Sequence, residues 1–186
     1  SDLLTYLNGA LYGQRLVKDG NGGYKEEFEW YPSMAESKPE AIDLDEETKV
    51  ASKWKVKVRT NDNMQFHTAS TKSVNGTALS SFNGTKITAN DFVNAYQILL
   101  NGNNGNSYAS QYSSDLVGGD QYNKATKNTK VFSAEDEEAF KSVGIKALDD
   151  NTIEFDFTYP MTQATVMMKL TSMAPVNKDF FKLITL

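Results

Sequence analysis

The chain has 186 residues, with 24 acidic against 19 basic side chains and a formal charge of −5 when its single histidine is neutral. At 39% hydrophobic residues it suits one domain, burying on the order of 70% of its unfolded surface. No apolar run approaches the ~18–20 residues that span a bilayer, and no Lys/Arg stripe exists to neutralise phosphates, which argues against nucleic acid as a partner. The absence of cysteine excludes disulfides and thiolate metal sites.

Behind Asp2, the residues Leu3, Leu4, Leu7, Ala10 and Leu11 recur at helical spacing and predict a first helix over 3–11. Tyr24, Phe28 and Trp30 are in phase for a strand over 24–31. Residues 41–44 and 49–59 flank the acidic turn DEET and read as a hairpin. In its second strand Trp54, Val56 and Val58 point one way; Lys53, Lys55, Lys57 and Arg59 point the other and read as a solvated sheet face. Residues 67–82 are dominated by Ser, Thr, Asn and Gly and predict a surface loop.

The stretch NGTKITANDFVNAY, residues 83–96, carries the strongest local signals. An Asn-Gly turn leads into a strand end at Lys86 and Ile87. Thr88 with Asp91 three residues on reads as a capping box. Phe92, Val93, Tyr96, Leu99 and Leu100 then give that helix one apolar face. NGNNG at 101–105 stops it, and residues 101–130, rich in Asn, Ser, Gly and Tyr, predict an extended surface region.

Ser133 with Asp136 opens another helix, with negative charge at its positive end. Residues 143–148 and 152–158 pair across Asp149–Asn151, with Ile153, Phe155 and Phe157 sharing one face. A short Met-rich helix over 161–170 and a final helix over 177–183 complete the chain. The layout is α+β: a mixed, largely antiparallel sheet with helices packed on it, without internal repeats. Six side chains (Trp54, Val56, Val58, Ile153, Phe155 and Phe157) are expected to line one buried sheet face beneath the residue 91–100 helix.

No arrangement for bond chemistry stands out. His67 has no second histidine to make a metal site with. The carboxylate groups Asp43, Asp45, Glu46 and Glu47, and Asp149, Asp150, Glu154 and Asp156, fall at turns or on outward strand positions, so solvated charge outweighs a paired-carboxylate hydrolase. No P-loop, GxGxxG, GxSxG or EF-hand loop is present. Neither enzyme activity nor a cofactor or metal is expected. Met167, Met168 and Met173 read as core filling.

Six stretches in order resemble the family 5 extracellular solute-binding proteins, the peptide- and dipeptide-binding lipoproteins of ABC importers. Residues 83–93 resemble the signature D/N-G-x-x-[VI]-T-A-x-D-[FV]-V. Leu11-Tyr12-Gly13 with Leu16-Val17 is similar to LYEGLV, and Pro32, Met34, Ala35 and Glu36 to P-x-LAES. Residues 54–59 alternate as the family's Y-T-F-x-LR strand does, with Phe66 where Trp is frequent. VGIKALDDNTIEFDF is similar to VGVKALDDxTVEVTL, and Pro175-Val176-Asn177-Lys178 to FPVNKE. Residues 67–82 depart from the pattern as an insertion.

The resemblance implies one subdomain, residues 1–186, of a periplasmic-binding-protein-like (type II) fold, inserted so that both ends return to a neighbouring domain. It implies an oligopeptide ligand, the remaining domains of the same chain and a membrane permease as partners, and a place on the extracellular face of the membrane by a lipid anchor, or in the periplasm. Ser107-Tyr108-Ala109-Ser110 resembles the family's SPYAS, whose Tyr lies on the ligand-cleft wall, with Ser107 where the family has Pro. Tyr108 is therefore a ligand-wall candidate, as are Thr171 and Ser172, which follow Leu170 at the place where some peptide binders carry a ligand-contacting His. Because Leu170 replaces that His, a nickel complex, an opine or a sugar stays open as ligand. An independent surface interaction module stays open as well.

Overall fold

The computed structural model describes residues 9–105 and 109–185. Its centre is a four-stranded antiparallel sheet in the order β3–β4–β8–β7, from β3 (Glu40–Ile42), β4 (Val50–Lys57), β7 (Ile145–Asp149) and β8 (Thr152–Thr162). Register explains its two faces. Trp54 stands opposite Phe155, which stands opposite Ile145; Val56 stands opposite Ile153, which stands opposite Ala147. These rows are continuous apolar ridges, and all six side chains expected on this face are buried. On the other face Lys53 stands opposite Asp156, and Lys55 and Lys146 flank Glu154. Opposite charges across the ladder offset one another.

Helix α1 (Ala89–Leu100) covers the apolar face. The Asp91 carboxylate accepts the Thr88 N–H at 2.7 Å, closing the capping box. Tyr96 meets Phe155 edge-on at 6.0 Å, and Phe155 stacks on Phe157 at 5.7 Å. One expectation needs widening: α1 is buried almost all round, not on one face. Its polar residues are satisfied internally. Asn94 Nδ2 donates to the Val176 carbonyl at 3.0 Å, and Gln97 Nε2 to Asp136 at 2.7 Å.

The reading of residues 101–130 as an extended surface region is corrected. Asn101 does end α1, but α2 (Ala109–Ser113) and α3 (Gly119–Ala125) follow. Residues 115–117 lie against the middle of β8, with Thr158 N–H donating to the Asp115 carbonyl at 2.8 Å and Val117 N–H to that of Asp156 at 3.0 Å. Gly118 makes the turn into α3 at φ 73°, where a Cβ would collide with the Ser142 carbonyl. Tyr122, Thr126 and Thr129 are buried.

What holds this region down is Asp136 in α4 (Ala134–Phe140). Its fully buried carboxylate accepts four hydrogen bonds. Oδ2 takes Gln97 Nε2 at 2.7 Å and Phe132 N–H at 2.8 Å; Oδ1 takes Tyr122 OH at 2.7 Å and Asn101 Nδ2 at 2.8 Å. Burial, reinforced by the Asp136 charge, pushes the Tyr122 phenol far above its ordinary range, so it stays a donor. The expected Ser133 cap is present as well, accepting from Asp136 N–H at 3.2 Å.

Residues 67–82 form more than a loop. β5 (Ser73–Val74) and β6 (Thr77–Ala78) pair across Asn75-Gly76, both at positive φ as a tight hairpin turn requires, and Leu79 is buried as their anchor. Of the helix expected over 3–11, residues 3–8 lie outside the described ones, and Gly9–Leu11 form a bend rather than helix. A strand the sequence did not single out, β1 (Tyr12–Lys18), pairs with β2 (Tyr24–Pro32) as a separate two-stranded sheet. Gly13 lies so close under the Tyr31 ring that a Cβ would stand 2.7 Å from it. The chain closes with α5 (Gln163–Lys169) and α6 (Lys178–Ile184), whose caps Thr162 and Asn177 accept from Thr165 and Phe180 N–H groups. Of the three methionines read as core, Met167 is buried and Met173 partly so, but Met168 is 48% exposed.

Candidate functional site

Strand β8 runs out of the core and passes directly into α5, which ends at the residues singled out for ligand contact. Leu170, fully buried, caps α5 by donating its N–H to Val166 and Met167 carbonyls. Thr171 and Ser172 follow at the surface. Thr171 Oγ1 donates back to the Met168 carbonyl at 2.7 Å, whereas Ser172 is exposed. Tyr108 lies outside the described residues. The helix that starts immediately after it, α2, reaches this edge: Tyr112 OH and Ser172 Oγ are 3.2 Å apart.

Around that contact the edge is polar and firmly tied. Lys169 Nζ donates to Asp115 Oδ2 at 2.9 Å, with both side chains largely buried, and stands 5.7 Å from the Tyr159 ring centre. Burial pulls the Lys169 ammonium down, but hydrogen bonds to Asp115 and Tyr159 outweigh it and hold it above the ordinary lysine range. Thr158 Oγ1 donates to the Ser114 carbonyl at 2.7 Å, fixing the loop that carries Asp115. Tyr112, Asp115, Tyr159 and Lys169 escaped the sequence reading. Only Tyr112 had a signal, lying one turn beyond Tyr108 in the same segment.

The described residues of this edge present hydroxyl groups, tyrosine rings and one ion pair. Among the described residues no group of His, Asp or Glu side chains converges as a metal site, and no helix is long and apolar enough to cross a membrane. The acidic turns are local. Asp45 accepts from Thr48 and Glu47 N–H groups and Asp149 from Asn151 N–H, which lowers both carboxyls below their usual range.

The family model for bacterial extracellular solute-binding proteins, family 5 (its middle region), matches residues 82–183, more than half of the chain. The chain belongs to this family. Solved structures superpose on most of it. The Listeria monocytogenes OppA bound to peptide matches at TM-score 0.60 and 21% identity, covering 95% of this chain and 26% of its own. The oligopeptide ABC transporter substrate-binding domain of Bacillus anthracis matches at 0.59 and 23%, covering 94% and 25%. Haemophilus influenzae OppA in complex with RPPGFSPFR matches at 0.54 and 19%, covering 92% and 26%. At these identities the likeness establishes the periplasmic-binding-protein fold. The chain spans about a quarter of the length of these structures. No curated protein sequence matches it.

Proposed function

We propose that this family 5 chain is one subdomain of an extracellular oligopeptide-binding protein of an ABC importer, supplying scaffold and part of the ligand-cleft wall. The observation that carries the reading is the meeting of α2 with the α5 exit. Tyr112 and Ser172, 60 residues apart in sequence, touch on one edge, and Tyr108 immediately precedes that same helix. Tyrosine suits a peptide wall, because a rigid apolar ring covers the ligand while its hydroxyl meets a backbone group. Peptide-bound structures of the same fold come from the two OppA proteins described above.

In this reading the ligand is enclosed between this subdomain and the remaining domains of the polypeptide, a membrane permease receives it, and no bond is made or broken. The protein works outside the cell, held by a lipid anchor or confined to the periplasm. Residues 67–82 are an insertion carried on the surface.

Isothermal calorimetry with a mixed peptide set tests this. The longer protein containing this chain should bind peptides, and Tyr108→Ala should weaken binding by about 1–3 kcal/mol, with smaller losses for Thr171→Ala and Ser172→Ala. The 186-residue chain alone should bind poorly, since a single wall cannot bury a peptide. Micromolar or tighter binding by this chain alone would overturn the scaffold role; unaltered affinity in Tyr108→Ala would remove that residue from the wall.

A further inference from the structure

An asparagine followed by glycine can react with its own backbone. The glycine amide nitrogen adds to the asparagine side-chain carbonyl carbon, since no Cβ on the glycine hinders the approach. The chain has six such pairs, beginning at Asn8, Asn21, Asn75, Asn83, Asn101 and Asn104. Asn8 lies outside the described residues; the structure separates the other five. In Asn83-Gly84 both reacting groups are held, with Asn83 Oδ1 accepting Thr68 N–H at 2.7 Å and Gly84 N–H donating to the Phe66 carbonyl at 3.0 Å. Asn101 is buried with both ends of its amide bonded, and Gly102 N–H donates to Thr126 Oγ1 at 2.8 Å. Asn104 Nδ2 donates to the Ile98 carbonyl at 2.7 Å. Around Asn21-Gly22, Asp19 Oδ1 accepts the N–H groups of Asn21 at 2.7 Å and of Gly23 at 3.1 Å, which braces that loop on both sides.

Asn75-Gly76 has none of these restraints. Both residues are exposed at the tip of the β5–β6 turn, and among the described residues neither the Asn75 side chain nor the Gly76 N–H has a hydrogen-bond partner. A Cβ placed on Gly76 would meet nothing within 4 Å, so the approach is open. Ring closure needs the turn to rotate away from its positive-φ geometry. Pairing of two residues on each side scarcely resists that. We propose that Asn75 is a modification site, converting in water to aspartate and isoaspartate. Gly76 N–H gives its proton to hydroxide, its nitrogen bonds to Asn75 Cγ, and the side-chain nitrogen leaves as ammonia. Water then opens the cyclic imide at either carbonyl, and no electron is gained or lost. Opening at the side-chain carbonyl leaves Asp-Gly, which still suits the turn and adds a negative charge. Opening at the main-chain carbonyl routes the backbone through the side chain. That inserts a methylene between Val74 and Thr77 and breaks their register. The site is independent of the ligand proposed above.

The test incubates the full polypeptide carrying this chain in mildly alkaline buffer, both native and in denaturant. Peptide mapping by mass spectrometry follows each Asn-Gly pair, and labelling by an isoaspartyl methyltransferase separates isoaspartate from aspartate. In the native protein Asn75 should convert at least about tenfold faster than Asn21, Asn83, Asn101 or Asn104, because local opening controls access to the reactive geometry. In denaturant, where the restraints are gone, the five rates should agree within about threefold. Both products should form at Asn75. Any of the other four keeping pace with Asn75 in the native protein would overturn the proposal. So would a lead for Asn75 that persists in denaturant, since the fold would then not be its cause. Aspartate without isoaspartate would exclude the cyclic route and overturn it as well.

Discussion

Replacing Asp136 by Asn changes one atom and should cost far more than that suggests. The carboxylate receives four donors, two on each oxygen. An amide keeps one acceptor and turns two hydrogens toward the other pair. With its oxygen kept on Gln97 and Phe132, the Tyr122 hydroxyl can rotate to accept, but Asn101 cannot adapt. Its amide oxygen already accepts from Asn103 N–H at 2.8 Å, and its nitrogen also donates to the Thr129 carbonyl at 3.1 Å. One buried donor is left facing another, and two charge-assisted bonds are lost, at ~1.5–3 kcal/mol each. The expected loss is about 3–5 kcal/mol, a large part of a typical ~5–15 kcal/mol total. In urea, with a slope near ~2 kcal/mol/M, the midpoint should fall by about 2 M with the slope unchanged. Glu135→Gln, exposed on the same helix, is the control and should shift little. A loss below about 1 kcal/mol for Asp136→Asn would refute the carboxylate's role as the anchor of residues 101–132.

Phe155→Ala should destabilise by about 3–5 kcal/mol in the same assay, because a fully buried ring in contact with Tyr96 and Phe157 leaves a cavity that the paired strands cannot close; a cost under ~1.5 kcal/mol would contradict the central packing. Asp91 predicts a pH dependence. Burial, opposed by the Thr88 hydrogen bonds, pushes its carboxyl up from 3.8 to about 6. The folded state therefore holds its proton more tightly, so this contribution is fully present below pH ~4 and is lost as pH rises through about 6. The wild type should lose on the order of 2 kcal/mol relative to Asp91→Asn between pH 4 and 7, measured as the difference of their urea midpoints at each pH; a flat difference would refute it. Gly118→Ala should cost more than ~2 kcal/mol, since the αL turn and the Ser142 carbonyl both exclude a Cβ; wild-type stability in that variant would show that the turn can move.

The elements written locally were legible in the sequence. The Thr88–Asp91 box, the alternation of Trp54, Val56 and Val58, and the Asp149–Asn151 turn each encode their structure within a few residues, and α1, β4 and the β7–β8 hairpin follow. Elements held by distant partners were not. Helices α2 and α3 are five and seven residues long, too short to form on propensity. Helix α3 is held because Tyr122 and Asn123 bond to Asp136 and to the Leu100 carbonyl, and α2 because Tyr112 meets Ser172 and Ser113 Oγ donates to Asp120. Strand β1 contains Gly13 and Arg15 where alternation would show, and only its ladder with β2 makes it a strand. At the candidate edge, Thr171 and Ser172 came from resemblance. The Lys169–Asp115 pair, 54 residues apart, has no sequence signature at all.

The passage from β8 into α5 has a mechanical consequence. Thr162 is both the last residue of the strand and the cap of the helix, with no loop between them. The strand is paired on both sides at residues 152–155, its register against β4 shifts between Asp156 and Met161, and β4 pairs with it again at Met161 and Thr162; the helix end is pinned by Lys169 to Asp115. The edge bearing Thr171 and Ser172 is thus tied to the sheet where α5 begins and to the Asp115 loop where it ends. In the function proposed above, closure on a ligand would then have to come from a pivot away from this edge.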